Sequence, residues 1–93
     1  MIRHIVLWKQ LEGHEQEKEQ FLSGLRGLVG VIPGLHSVET HRADIPGQFD
    51  ACLIADFDDA QALASYREDP RHIAVASIGR AIAVSRASID FEI

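Results

Sequence analysis

The chain has 93 residues, of which 46% are hydrophobic and 25% are charged. This length predicts a single domain over residues 1–93, and it excludes a second domain, a cleft between domains and a solenoid of repeats. Nine Lys and Arg residues against 14 Asp and Glu residues give a formal net charge of −5, which is the wrong sign for binding nucleic acid or an anionic membrane. Charge interrupts the apolar N-terminal stretch before a signal peptide could form, so we expect a cytoplasmic protein.

Periodicity and turn signals predict an alternation of strands and helices. In chain order they are a strand over 2–9, a helix over 14–32, strands over 35–42 and 49–57, helices over 58–66 and 70–84, and a strand over 89–93 whose alternation predicts one buried face. Asp69-Pro70 is typical of a helix start, with aspartate at the N-cap and proline in the first helical position. This order fits an α+β, ferredoxin-like βαββαβ fold, with one antiparallel sheet and helices on one face.

Opposite charges indicate how the two central strands pair. In a ferredoxin-like sheet the first and third strands are adjacent and antiparallel, and one register sets Arg3 against Asp56 and Lys9 against Asp50. Between these ion pairs the same face carries four apolar residues, Ile5, Leu7, Cys52 and Ile54. An apolar patch with a charged rim usually marks an interaction surface, so we expect these four residues to form a homodimer interface between two sheets. The alternative is an exposed face with scattered apolar residues.

Five short segments, in this order and at this spacing, carry a family resemblance. They are residues 2–9, 32–34, 56–59, 66–72 and 89–93. Together they resemble the stress-responsive dimeric α+β barrel family over essentially the whole chain. The resemblance implies a ferredoxin-like subunit and a dimer in which two sheets face each other. Some plant members of this family cyclise linear polyketides, others are stress-associated oligomers without known chemistry, and most bacterial members have no assigned activity.

The same resemblance suggests three residues for acid–base chemistry. Cyclase-type members use a histidine at the position of His72, a tyrosine at the position of Tyr66 and a further histidine at the position of His4. Another polar pocket position of those members falls on Ala51, and a helix tyrosine falls on Leu25. The chain therefore matches the cyclase pattern at the first three positions and departs from it at the other two.

The positions of these side chains allow both chemical and structural roles. His72 is expected in the first turn of a helix, where the helix dipole disfavours the imidazolium, and a general base must be neutral. The alternative is a role in capping. The Tyr66 hydroxyl can donate a hydrogen bond either to a ligand carbonyl or to the backbone of the turn before Pro70. His4 lies on the helix-covered face, where it is either a hydrogen-bonded core residue or part of a pocket.

Three glycines in the first predicted helix suggest either close packing or a cavity. Gly24, Gly27 and Gly30 recur every third residue, and each costs roughly 0.5 to 1 kcal/mol relative to alanine inside a helix. Close packing against a neighbouring element would offset this cost. In the alternative, the missing side chains leave a ligand pocket whose apolar lining is Val6, Trp8, Leu22, Leu25, Leu28 and Val29.

The remaining polar and thiol groups indicate no metal or cofactor. The five histidines form no closely spaced ligand pair, and Cys52 is interpreted as interface packing because no basic residue lies near it in sequence. The sequence thus predicts a homodimer with a small apolar pocket in each subunit for a hydrophobic or aromatic small molecule, with cyclase-like acid–base chemistry. The alternatives are a non-catalytic stress or structural dimer and a cofactor-free, monooxygenase-like barrel acting on quinol-type substrates.

Overall fold

The computed structural model describes all 93 residues and has the predicted α+β architecture. Its elements are β1 (Ile2–Gln10), α1 (Glu15–Arg26), β2 (Leu35–Arg42), β3 (Ala51–Phe57), α2 (Ala60–Glu68), α3 (Pro70–Ile82) and β4 (Ala83–Glu92). The four strands form one antiparallel sheet in the order β2-β3-β1-β4, with the helices on one face, which is the ferredoxin-like topology. None of the helices has both the length and the apolar character needed to cross a membrane.

The predicted register of the central strands is confirmed. β1 and β3 pair antiparallel with Arg3 opposite Asp56, and the guanidinium Nε donates to the Asp56 carboxylate at 2.8 Å. Toward the other end of the strands, Lys9 Nζ lies 3.5 Å from a carboxylate oxygen of Asp50. Because a shift of one residue would exchange the two faces of β1, this pairing decides which side chains point toward the helices.

The two faces of the sheet differ in burial. Toward the helices, alternate residues of β1 and β3 join α1 and α2 in one core, and the largest fully buried side chains are Tyr66, Phe57, Leu22, Leu53 and Val6. No helix covers the opposite face, where the side chains of the central strands stay half-buried. We call the apolar residues of this second side the open face, and they are Ile5, Leu7, Cys52, Ile54, Ala87, Ile89 and Phe91.

β4 differs from its prediction in length and in burial. It begins at Ala83, directly after α3, and pairs with the whole of β1. Ile89 lies opposite Ile5, and Ile89 and Phe91 are 60% and 40% exposed on the open face. The expected buried face of this strand is therefore wrong for the isolated subunit, because β4 is an edge strand that the helices do not cover.

α1 ends earlier than predicted. Its last residue is Arg26, and Gly27 is the C-cap. Gly30 has a backbone φ of 81°, which residues other than glycine rarely adopt. Leu28 and Ile32 are nevertheless buried in the turns that follow. The apolar spacing therefore continued past the end of the helix, because residues in a compact turn also pack against the core.

Glycines bring α1 and α3 into close contact. A Cβ atom on Gly24 would lie 3.0 Å from Val75 Cγ1, and one on Gly79 would lie 2.4 Å from the ring of Phe21. The close-packing interpretation is confirmed for Gly24 and is wrong for Gly27 and Gly30, whose Cβ positions meet no neighbouring element, and none of the three glycines lines the cavity described below.

Candidate functional site

A cavity of about 350 Å³ lies between the sheet and the helices. Its larger aliphatic and aromatic lining residues from β1, β3 and α1 are Val6, Trp8, Phe21, Leu25 and Leu53, and Ala76 and Ala83 add small apolar side chains from α3 and β4. Trp8 and Phe21 meet edge to face, with ring centroids 4.9 Å apart. A cavity of this size with an aromatic and aliphatic lining suits a small organic molecule.

Helix α3 supplies three side chains to the cavity from one face. Asp69 caps the helix by accepting a hydrogen bond from the Arg71 backbone N–H at 2.8 Å. His72, Ala76 and Arg80 follow at intervals of four residues, which places them on one side of the helix. The small side chain of Ala76 leaves space between its two longer neighbours.

Tyr66 and His72 form a stacked pair in the cavity wall. Their ring centroids are 3.9 Å apart with an interplanar angle of 32°. The Tyr66 hydroxyl and the Nδ1 atom of His72 are both buried, and neither has a hydrogen-bond partner in the protein. Buried polar atoms are almost always hydrogen-bonded, so these two atoms are available to a molecule bound in the cavity.

The surroundings of the pair keep one group protonated and the other neutral. Burial raises the pKa of the Tyr66 phenol to about 12, against the opposing effect of the Arg86 charge, so the hydroxyl remains a donor at neutral pH. Burial lowers the pKa of His72 most strongly. The backbone of Arg67 and the charge of Asp69 oppose this shift, whereas the charge of Arg86, and that of His4 when it is protonated, add to it. His72 is therefore neutral near pH 7 and can accept a proton.

His4 faces the same cavity and is held by an acid from β4. Its Nδ1 atom lies 2.5 Å from Asp90 Oδ1, and the other Asp90 oxygen accepts a hydrogen bond from Arg67 at 2.6 Å. Burial lowers the pKa of His4, although the hydrogen bond to Asp90 opposes this shift. Burial alone would raise the pKa of Asp90, but the hydrogen bonds from His4 and Arg67 outweigh it, so the pKa of Asp90 is lowered. A neutral His4 then donates from Nδ1 to the carboxylate, which leaves Nε2 as an acceptor without a protein partner.

Several predicted site residues come together in this cavity. The three proposed catalytic residues, His4, Tyr66 and His72, line it, and so do the predicted pocket residues Val6, Trp8 and Leu25. The other four predicted pocket residues lie elsewhere. Leu22, Leu28 and Ala51 are buried but do not line the cavity, and Val29 is 40% exposed because α1 ends before it.

Sequence reasoning missed the polar partners of these residues. Arg67, Arg80 and Arg86 line the cavity, and Asp90 holds His4. Two signals could have found them. Arg80 follows His72 at a spacing that places both on one helix face, and Asp90 lies on the polar side of a strand that pairs with β1 in this topology.

Other candidate positions lie elsewhere. Cys52 is a free, half-buried thiol on the open face. No group of three or more His, Cys, Asp or Glu side chains is arranged to hold a metal ion. A second hollow of about 350 Å³, beside the loop before β3, contains none of the proposed catalytic residues.

Fold and cavity together define a small ferredoxin-like α+β domain with a cavity of small-molecule size between its sheet and helices. The Stress responsive A/B Barrel Domain family matches residues 2–93, and the chain belongs to this family. The family resemblance inferred from the sequence motifs is thereby confirmed.

Individual relatives are similar over nearly the whole chain. An uncharacterized protein of Streptomyces coelicolor is 35% identical over 88 residues, which cover 89% of this chain and 91% of the relative. A dimeric protein of unknown function with a ferredoxin-like fold from Bacteroides fragilis is 26% identical, with a TM-score of 0.88 and coverage of 99% of this chain and 95% of the other. A hydroxynitrile lyase from Passiflora edulis has a TM-score of 0.86 and coverage of 99% and 92%, but at 13% identity it shares the fold alone.

Proposed function

We propose that this protein binds a small apolar or aromatic carbonyl compound in the cavity and catalyses proton transfer on it. One observation carries the proposal: the Tyr66 hydroxyl and His72 Nδ1 are buried, have no partner in the protein, and belong to residues that line the same cavity. Such a pair supplies a hydrogen-bond donor and a proton acceptor to one ligand.

In the proposed reaction, the Tyr66 hydroxyl donates a hydrogen bond to the carbonyl oxygen of the ligand. His72 Nδ1 removes a proton from the neighbouring carbon, so the C–H bond breaks and its electron pair forms an enolate. The hydrogen bond from Tyr66 stabilises the oxygen of this enolate. The imidazolium then returns its proton to a carbon or oxygen of the ligand, and a cyclisation of cyclase type would proceed through the same enolate. His4 Nε2 is a second acceptor for the proton.

We further propose that the protein is a cytoplasmic homodimer assembled through the open face. An apolar surface this continuous, with Arg3–Asp56 and Lys9–Asp50 at its margins, is typical of an interface between two copies. The dimeric state of the Bacteroides fragilis protein supports this proposal. The cavity lies on the opposite side of the sheet, so each subunit would keep its own pocket.

Deuterium exchange on a simple ketone tests the proposed chemistry. 2-Tetralone, which has acidic α-protons, would be followed by NMR in D₂O with wild-type protein and with two histidine variants. We expect wild-type protein to accelerate exchange, and His72→Ala to reduce the acceleration by about 100-fold or more, since general base catalysis contributes on that scale. His36→Ala is the matched control, because His36 is exposed on β2 and does not line the cavity.

Tyr66→Phe separates the donor from the base. It keeps the aromatic stack on His72 but removes the hydroxyl, so exchange should slow while 2-tetralone still binds, as followed by the fluorescence of Trp8 in the cavity wall. Exchange in wild-type protein no faster than in buffer, or an undiminished rate in His72→Ala, would contradict the proposed chemistry.

A further inference from the structure

We infer that the ligand of this cavity carries a carboxylate, and that Arg80 and Arg86 bind it. The inference rests on the proposed function and narrows its substrate class to carbonyl compounds that also bear a carboxylic acid. It depends on the charge of the lining and on the pairing of every arginine in the chain.

The cavity lining is positively charged although the protein is acidic. Three of its residues, Arg67, Arg80 and Arg86, carry guanidinium groups, and none of its residues is an aspartate or glutamate. The chain as a whole has a formal net charge of −5. A concentration of one sign of charge at a cavity, against the charge of the whole molecule, favours a ligand of the opposite sign.

The arginines of the lining differ from the rest in their partners. Elsewhere in the chain, each arginine forms an ion pair with a carboxylate, and so does Arg67, which is bound to Asp90 at 2.6 Å. Arg80 has no acidic partner, and Arg86 has only the Ser88 hydroxyl at 3.4 Å. The two arginines that have no carboxylate partner in the protein, Arg80 and Arg86, both line the cavity. Both residues are exposed, and their guanidinium groups match the geometry of a carboxylate, which would pair with them.

The position of Arg86 places this charge next to the proposed chemistry. Arg86 lines the same cavity as Tyr66, His4 and His72. Its charge opposes the rise that burial causes in the pKa of Tyr66, and it adds to the lowering that burial causes in the pKa of His4 and of His72. A ligand can thus set its ring or chain against Trp8 and its neighbours, its ketone at the Tyr66 hydroxyl and its carboxylate at the arginines. Keto acids with an aromatic or aliphatic body have this arrangement of groups.

A pair of probes that differ in charge tests the inference. 2-Naphthoate and 2-naphthamide have the same ring and nearly the same shape, and binding of each to the full-length protein would be measured by calorimetry. We expect wild-type protein to bind 2-naphthoate about tenfold more tightly at low ionic strength, and the advantage to shrink as salt is added. In the double variant Arg80→Gln and Arg86→Gln, the two probes should bind equally, with the affinity for 2-naphthamide unchanged.

The control and the opposing outcomes separate this inference from the proposed function. Arg42→Gln should keep the preference for 2-naphthoate, because Arg42 pairs with Glu15 and does not line the cavity. Equal affinity of wild-type protein for both probes overturns the carboxylate inference but leaves the pocket intact. Binding of neither probe contradicts the pocket itself. If the double variant is less stable, Arg80→Lys and Arg86→Lys, which keep the charge, should retain most of the preference, and complete loss of it in these variants would count against a charge effect.

Discussion

The two faces of the sheet carry residues from the same strands but have different surroundings. On β1, His4, Val6 and Trp8 are buried beneath the helices, whereas Ile5 and Leu7 between them remain half-buried on the open face. A strand that is apolar on both faces thus serves two surfaces, one inside the subunit and one that we assign to a second copy. The difference indicates which substitutions should affect folding and which should affect assembly.

Polar groups are also distributed differently on the two faces. On the open face, charged side chains occur at the margins, where Arg3 pairs with Asp56. On the covered face, His4 is buried and held by Asp90, and Tyr66 and His72 retain buried atoms without partners. A buried polar atom without a partner reduces stability, so its presence is more readily explained by ligand binding than by folding.

The largest expected effect comes from a charge on the open face. In Ile54→Asp, an unpaired carboxylate would enter the apolar centre of the proposed interface, so the dimer should dissociate or aggregate. The mass in solution, measured by light scattering, should fall to that of one chain or rise to that of aggregates. The control is Ile45→Asp, because Ile45 is 81% exposed in a loop, and that variant should keep the wild-type mass. An unchanged mass for Ile54→Asp would contradict the interface.

A smaller effect is expected where the helices cover the sheet. In Gly79→Ala, the new Cβ would lie 2.4 Å from the Phe21 ring, which is itself packed on Trp8 at a centroid distance of 4.9 Å. We expect the free energy of unfolding to fall by about 1 to 3 kcal/mol, as in other overpacked cores. Urea unfolding at one protein concentration measures it.

Gly47→Ala provides the comparison for this variant. No atom lies within 4 Å of the Cβ position at Gly47, so this variant should keep the wild-type stability. Equal stability of the two variants would show that the contact between α1 and α3 is looser than the structure has it. The mass of the Gly79→Ala variant in solution should remain that of wild type, since the substitution lies away from the open face.

The smallest effect concerns pH. Burial lowers the pKa of His4 and of His72 in the folded protein, so between those lowered values and about 6.5 the unfolded chain binds more protons. The contribution of these two neutral histidines to the free energy of unfolding is therefore fully present above about pH 6.5. It is lost as the pH falls through their lowered pKa values in the folded protein. Urea midpoints measured between about pH 8 and about pH 5 should decrease, and less so in His72→Gln. An identical decrease in that variant would mean that His72 is not buried as described.

The fold could be predicted from the sequence because its signals are local and repeated. The apolar, β-branched run of β1, the charge pair of Arg3 and Asp56, and the Asp69-Pro70 helix start each depend on few residues. The end of α1 could not be placed, since Leu28 and Ile32 keep the helical spacing while packing from turns. The full extent of β4 was missed because its first residues are neither strongly alternating nor buried.

The candidate site was predictable only in part, because its residues come from separate elements. The family resemblance pointed to His4, Tyr66 and His72, which all line the cavity. The pairing of His4 with Asp90 could be predicted only from the alignment of β1 with β4. That Arg80 has no acidic partner is seen only when the ion pairs of the folded chain are known. Such properties depend on distances in space and have no local signal in sequence.

The central claim is that Tyr66 binds the carbonyl oxygen of a ligand in the cavity while His72 lies beside the neighbouring carbon, and a crystal structure with 2-tetralone tests it most directly. We predict the ketone oxygen within about 3.2 Å of the Tyr66 hydroxyl, the α-carbon beside His72 Nδ1, and the ring against Trp8. A structure in which 2-tetralone lies outside the cavity, or in which the Tyr66 hydroxyl is bound to the protein backbone in a closed cavity, would contradict the claim.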